Sequence, residues 1–502
     1  MQGGLLVCGT GSDVGKSLIV TGLCRLLARR GVRVAPFKAQ NMALNSYVTA
    51  DGHEIGRAQA AQAMAARVPP EVAMNPILLK PTGDRTSQVI VAGRAIGYLD
   101  AAEYHELKPQ LLDKVLADLA DLRARFDVVI AEGAGSPAEI NLADHDIVNL
   151  RVAYEAGLPA IVVGDIDRGG VFASLYGTVA LLPDHYRALV RGFIINKFRG
   201  DPALLGDGTA QLEQRCGVPT LGIVPMVGDL ALDAEDSLAL AGPRPDSGPA
   251  LADGLDVAVV RFPRISNFTD LDALALEPGV TVRFVTAVSG LGTPDLVVLP
   301  GTKATVDDLA WLRARGFEDA LSRTSALVLG ICGGYQMLGR EIVDDVESGD
   351  GRVRGLGLLD VATAFAADKT TRRRAGTAIG ESVGGYEIHH GVTDRGDGAA
   401  GWVHLDAIGV GAGASTPPED EGAVDLEDAR VLGTGLHGLF EHDAFRAQFL
   451  MEVGRRADKA FVPAGVSFAA AREDQFDRLA DLVATHVDLD RLFAMIEGSV
   501  SG

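Results

Sequence analysis

The segment that most constrains this chain is Gly-Thr-Gly-Ser-Asp-Val-Gly-Lys-Ser, residues 9–17. A short apolar run at 5–7 precedes it. Apolar residues then recur every three or four positions over 17–30. A glycine-rich turn between a buried strand and a helix directs its backbone N–H groups inward, forming a cradle for phosphates. In that frame Lys16 reaches the β- and γ-phosphates of a nucleotide, and the Ser17 hydroxyl serves as a Mg²⁺ ligand. Gly9, Thr10, Gly11, Ser12, Gly15, Lys16 and Ser17 are therefore expected to bind ATP. Gly9 stands one residue earlier than the first glycine of the usual GxxxxGK[ST] spacing, with Thr10 in its place.

Such a loop implies a parallel sheet, and the rest of the N-terminal half agrees. Short apolar runs ending in Gly, Asp, Asn or Pro recur at 32–35, 128–131, 160–163, 192–195 and 220–224, with helical patterns such as 111–125 between them. Alternating buried strands and helices predict an α/β domain covered on both faces. Residues 228–254 are rich in Asp, Gly, Pro and Ser and read as a linker. A second strand–helix series follows at 256–261, 280–285, 296–299 and 326–330. The expected division is a P-loop domain over 1–230, a linker over 231–253, a second α/β domain over 254–445 and a helical tail over 446–502. With 502 residues the chain is too long for one core. Residues 366–425, with an Arg run and many glycines, read as exposed loops around a few strands.

A net charge of −21 disfavours nucleic acid as a ligand, because a phosphate backbone needs a basic face. Small phosphorylated ligands need only a few local donors. Four scattered cysteines without a CxxC pair exclude a disulfide framework or a structural zinc site and point to a reducing, cytoplasmic setting. The start lacks the pattern of a signal peptide, and no run is long enough to span a membrane.

Three further strand ends carry polar groups. Glu132 follows the run at 128–131 and is expected to join Ser17 at Mg²⁺. Asp165 and Asp167 repeat that arrangement, or cap the following helix. Asn196 reads an adenine edge by paired hydrogen bonds, or shapes a turn; the first is preferred.

The second half is dominated by Cys332. An apolar run at 326–331 delivers it to a Gly-Gly turn, and a helical pattern follows. This is the cysteine form of a nucleophile elbow. A helix N-terminus lowers a thiol pKa, and the Gly333 N–H points to where an oxyanion develops. Gly301 and Thr302, after another strand, offer further donors. A thiolate needs a base, and His389, His390, His404, His437 and His442 are available. His437 is preferred, since a strand and a glycine turn place it at a sheet edge. Cys8, Cys24 and Cys216 have no such surroundings and read as packing residues.

With both sites placed, the chain resembles the cobyric acid synthase family over essentially its whole length. The resemblance is carried by the phosphate loop, Lys38-Ala-Gln-Asn-Met, Glu54-Ile-Gly-Arg-Ala-Gln, Asn75-Pro-Ile-Leu-Leu-Lys, Glu132-Gly-Ala-Gly-Ser, Asp165–Gly170 and Asn196-Lys-Phe-Arg-Gly. Gly330–Gln336, Tyr386-Glu-Ile-His and the His437 segment complete it. It implies a dethiobiotin synthetase-like P-loop domain joined to a class I glutamine amidotransferase-like α/β domain. Cys332 would be the nucleophile and His437 its proton partner, while Lys16, Ser17 and Glu132 would serve ATP and Mg²⁺. The implied reaction is amidation of four peripheral carboxylates (b, d, e, g) of adenosylcobyrinic acid a,c-diamide, giving adenosylcobyric acid. L-Glutamine would supply ammonia, and ATP would activate each carboxylate as an acyl phosphate.

Lys38, Gln40, Asn41, Glu54, Arg57 and Gln59 are assigned to the corrinoid substrate. An enclosed passage for ammonia is expected, and homo-oligomerisation stays open. One departure stands out. Class I members place a Glu two residues after the histidine, where this chain has Leu439, so what orients His437 is open, with Glu441 as a candidate. The alternatives are cobyrinic acid a,c-diamide synthase, or a regulatory P-loop ATPase with a binding domain.

Overall fold

The computed structural model describes residues 1–83, 85–228, 253–407 and 417–499. The expected linker over 231–253 falls, save for its last residue, outside the described residues. The chain divides into two compact units. Met1–Ala43, Ile55–Leu230 and Arg472–Gly502 form the first; Leu44–Glu54 and Ala231–Ala471 form the second.

The first unit is built on a parallel sheet, six-stranded among the described residues. Its order is Thr220–Pro225, Val190–Phe198, Ala160–Asp165, Gly3–Gly9, Val128–Glu132 and Val34–Phe37. Both faces are covered, which is why Leu5-Leu6-Val7-Cys8 is apolar without alternation. Leu5 and Val7 pack with Ile19 and Leu23 of helix Lys16–Arg29 and with Ala480 and Val483. Leu6 and Cys8 pack on the other side, with Leu112, Val115 and Leu119 of helix Ala101–Arg125. That helix opens on a capping box of Asp100 and Glu103. Because the strands are parallel, their carboxyl ends share one edge. Register pairs Val7 with Glu132, Gly9 with Val163 and Asp165 with Asn196. The phosphate loop and the strand-end polar groups thus gather at one rim.

The expected separate tail over 446–502 does not form. Helix Asp443–Arg456 belongs to the second unit, and residues from Arg472 on belong to the first. The cause is chemical complementarity on helix Lys16–Arg29. Arg25, fully buried, donates to Glu473 at 2.6 Å and Asp477 at 2.8 Å, and Arg29 reaches Asp481 at 2.7 Å. The acids are half-exposed, so deleting the guanidinium leaves them hydrated. Arg25→Ala should therefore cost about 1–3 kcal/mol, chiefly lost hydrogen bonds and stem packing. Urea unfolding of the intact chain should show a lower midpoint; an unchanged one would mean that Val483 and Ala480 alone hold the helix.

The second unit has a central sheet ordered Val280–Val285, Leu255–Val260, Leu296–Leu299, Leu327–Ile331, Val431–Thr434, Ala423–Asp425 and Ala399–Ala400. The first five strands are parallel and the last two antiparallel. Residues 366–425 are more ordered than the expected loops. Val361–Ala378 and Glu381–Arg395 form a long antiparallel pair, registered from Val361–Arg395 to Ala378–Glu381. Arg372 and Arg374, two apart and so on one face, both pair with Glu387 and Glu419. Two members of the Arg run are thus paired with acids, while Arg373 between them is exposed. Among the described residues no helix is long and apolar enough to cross a membrane.

Candidate functional site

In the first unit the loop after strand Gly3–Gly9 is tied to its neighbours before any ligand enters. The Thr10 N–H donates to Val163 O at 2.9 Å, and Lys16 Nζ turns onto the carbonyls of Gly11, at 2.8 Å, and Gly135, at 3.4 Å. Gly15 has φ 97°, and a Cβ there would lie 2.0 Å from Asn196 Nδ2, so only glycine fits. Asn196 Nδ2 donates to Val14 O at 2.8 Å, and the residue is 2 % exposed. Its amide thus braces the loop through one Nδ2 hydrogen, which leaves the reading of Asn196 as an adenine contact a proposal.

Glu132 is the hub of this rim. Its Oε1 accepts from Ser17 Oγ at 2.9 Å and Lys38 Nζ at 2.8 Å, and its Oε2 from Gln62 Nε2 at 2.6 Å. Two hard oxygen donors side by side, Ser17 and Glu132, suit a small divalent cation such as Mg²⁺ that keeps water and phosphate as its other ligands. Asp165 is otherwise engaged, accepting from Lys197 Nζ at 3.0 Å and from its own turn at Asp167 N, 2.8 Å. Of the residues assigned to substrate, Asn41 Nδ2 donates to Gln59 Oε1 at 2.8 Å, Gln40 accepts from Tyr104, and Arg57 is buried on the same helix as Gln59. Glu54 carries the same assignment. It lies in the second unit, accepting from Ser46 Oγ at 2.8 Å and Lys369 Nζ at 2.6 Å, so its charge is already matched.

In the second unit, strand Leu327–Ile331 ends at Cys332, whose φ 51° and ψ −111° form a strained corner before helix Gly333–Leu338. A Cβ on Gly333 would come 3.2 Å from Thr302 N, so the two backbone donors stand side by side. The Gly301 carbonyl accepts from Ser266 N at 2.8 Å. In a trans peptide this aims the Thr302 N–H the opposite way. Asp308 Oδ2 accepts from the Thr302 hydroxyl and from Arg264 N at 3.3 Å, fixing the loop; burial raises its carboxyl to about 6.

His437 stands against the thiol. Burial pushes the Cys332 thiol up, but the hydrogen bond and charge of His437, the charge of His389 and the Gly333 N–H bring it below its ordinary value. The following helix has only six residues, so its dipole contributes less than the sequence reading assumed. Burial pushes His437 down, but the charge and hydrogen bond of Asp270, with those of Cys332, raise it to about 10. Both shifts favour transfer of the thiol proton to the imidazole.

Asp270 is the residue that sequence reasoning missed. Its Oδ2 meets His437 Nδ1 at 2.6 Å, and its Oδ1 accepts from Gly438 N at 2.9 Å. Glu441, the earlier candidate, does not hold that nitrogen. Asp270 lies on a short 3-10 turn, Phe268–Leu271, 167 residues before the histidine. Its only signal in the sequence is an Asp-Leu-Asp pair beyond a strand, in which nothing marks Asp270 over Asp272. A second histidine–carboxylate pair lies close by. His389 Nε2 is 3.5 Å from Glu387 Oε1, and that pairing, with Arg372, brings the buried Glu387 carboxyl down to about 2. Burial pushes neighbouring Glu421 up to about 7, although it accepts from Gly435 N and Thr434 Oγ1. Cys8 and Cys24 are buried with their thiols pushed up, and partly exposed Cys216 is raised as well.

Comparison with known proteins agrees with this division. Residues 5–239 match the CobQ/CobB/MinD/ParA nucleotide binding domain, and 256–445 match the CobB/CobQ-like glutamine amidotransferase domain. A cobyric acid synthase of Streptomyces avermitilis is 53% identical, covering 100% of this chain and 98% of its own. One of Nocardia farcinica is also 53% identical, with the same coverage of both chains. One of Rhodococcus jostii is 54% identical over 98% of this chain and 95% of its own.

Proposed function

The chain belongs to the cobyric acid synthase family, glutamine-dependent amidotransferases of cobalamin biosynthesis, and from that premise we propose how its two sites divide the reaction. The second unit releases ammonia from L-glutamine; the first uses ATP to activate peripheral carboxylates (b, d, e, g) of adenosylcobyrinic acid a,c-diamide. The observation that carries this reading is the Cys332–His437–Asp270 line, which a nucleotide-binding regulator has no need to build. A cytoplasmic setting suits its free thiolate.

In the second unit the Cys332 thiolate attacks the side-chain carboxamide carbon of glutamine, forming a C–S bond. The Gly333 and Thr302 N–H groups hold the oxyanion. His437, protonated at the outset, gives its proton to the departing ammonia, and Asp270 keeps the ring in the tautomer and orientation this requires. Water, relieved of a proton by His437, then hydrolyses the thioester and releases glutamate.

In the first unit the loop N–H groups and Lys16 bind the triphosphate. Ser17 and Glu132 would hold Mg²⁺, which supplies charge neutralisation at the phosphates. Lys38, released from Glu132, offers its charge to the carboxylate, and Gln59 and Asn41 present amides to the corrinoid side chains. Attack of the carboxylate on the γ-phosphate expels ADP; ammonia then displaces phosphate from the acyl phosphate. The enclosed route for ammonia belongs to the same proposal, since free ammonia near pH 7 is mostly protonated and unreactive.

The test is amide formation on the a,c-diamide with glutamine or ammonium as donor. Lys16→Ala should depress both reactions about 10²-fold, because it removes a fixed charge from the phosphates in either case. Undiminished turnover with either donor would remove the phosphate loop from the mechanism.

A further inference from the structure

We propose that Tyr386 is a positioning residue for His437, and that residues 44–54, a segment from the N-terminal half, hold it in place. The inference rests on His437 being the proton partner of Cys332. Tyr386 and His437 are paired across adjacent antiparallel strands, and their rings stack at 5.3 Å between centroids with 27° between planes. An aromatic face beside an imidazolium favours the charged form and restricts rotation of the ring. Tyr386 is itself pinned. Its hydroxyl donates to Ser46 O at 2.9 Å, and the Tyr47 ring lies 5.5 Å away.

The same segment reaches the other support of the histidine. Ser46 N donates to Asn267 Oδ1 at 2.8 Å, and Asn267 O accepts from Asp270 N at 3.0 Å. Asn267 has φ 50°, so it heads the turn that carries Asp270. Ser46 is therefore bonded to Tyr386, at the ring face of His437, and to Asn267, which holds the turn carrying its Nδ1 partner Asp270. Ser46 Oγ in turn donates to Glu54, whose other oxygen takes Lys369, which closes the segment on the same unit. The polypeptide leading into the segment carries Lys38 and Asn41, and that leaving it carries Arg57 and Gln59.

The experiment uses the full-length protein and follows glutamate release with ATP, Mg²⁺ and the a,c-diamide present, alongside ammonium-dependent amidation. Tyr386→Phe keeps the ring and loses the tether; it should lower glutamine-dependent kcat about fivefold, the worth of one neutral hydrogen bond, with KM for glutamine unchanged. Asn267→Gly, which tolerates the positive φ, should do the same, and Asn267→Asp, which keeps the acceptor, should restore activity. Ammonium-dependent amidation should be unaffected in all three. Unchanged kcat in both Tyr386→Phe and Asn267→Gly would overturn the proposal, as would equal losses with both donors. If Cys332→Ala still turned over glutamine, the two-site reading itself would fail, a result distinct from either.

Discussion

Cys332→Ala should abolish glutamine-dependent amidation while leaving the ammonium-dependent reaction near its wild-type rate. The thiolate supplies the covalent step, and removing a nucleophile from a preformed catalytic group costs on the order of 10³-fold or more in kcat. The oxyanion donors, Gly333 and Thr302 N–H, survive the change but have no tetrahedral adduct to stabilise. External ammonia needs neither group. The substitution is small and lies at a strained corner, φ 51°, that Ala tolerates no worse than Cys, so folding should persist. Equal loss with both donors would mean that the two chemistries are not separable, and the division of labour would have to be abandoned.

What was legible in the sequence was what is contiguous in it. The phosphate loop and the Cys332 corner each unite a strand, a glycine turn and a helix start within about ten residues, and their physical demands are written locally. Glu132 could be placed because strand ends of a parallel sheet share one edge. Asp270 could not, because an acid that meets His437 from 167 residues away leaves no spacing pattern. The same holds for Glu473 and Asp477, whose partner Arg25 lies 448 and 452 residues earlier in the chain. Glu54 misled for the opposite reason. It sits between two stretches of the first unit, and only its bonds to Ser46 and Lys369 show that eleven residues, Leu44–Glu54, belong to the second. Asn196 was read as a ligand contact, and its amide also holds Val14 O, a bond that no spacing announces. Polar side chains at strand ends announce a site, but not which of them face the ligand and which hold the frame.

Net charge shows the same limit. At −21 the chain as a whole repels both ATP and a corrinoid bearing carboxylates. The local arrangement reverses that. Lys16 and Lys38 are both buried at the rim, where Lys38 also meets Glu132. Short-range desolvated charge outweighs a distant field that salt screens within about 10 Å.

Asp270→Asn should lower glutamine-dependent kcat about 10²–10³-fold, less than loss of the acid costs a serine enzyme, because a thiol whose pKa is already lowered leans less on its base. The sign of the pH effect follows from what the carboxylate does to its partners. With Asp270 present, His437 holds its proton up to about 10, and its charge keeps the Cys332 thiol below its ordinary value. Activity should rise as pH passes the depressed thiol value and fall as pH passes about 10, where the imidazolium that protonates ammonia is lost. Asn supplies a similar shape without charge. The imidazolium is then less stable, so the basic limb should move to lower pH, and the weaker cation should move the acidic limb up. The bell narrows from both sides. Ammonium-dependent amidation, which bypasses all three groups, should keep its own profile. A variant with reduced kcat but an unshifted bell would show that Asp270 only supports the fold of its turn; one with undiminished kcat would leave His437 to be oriented by its stack on Tyr386 alone.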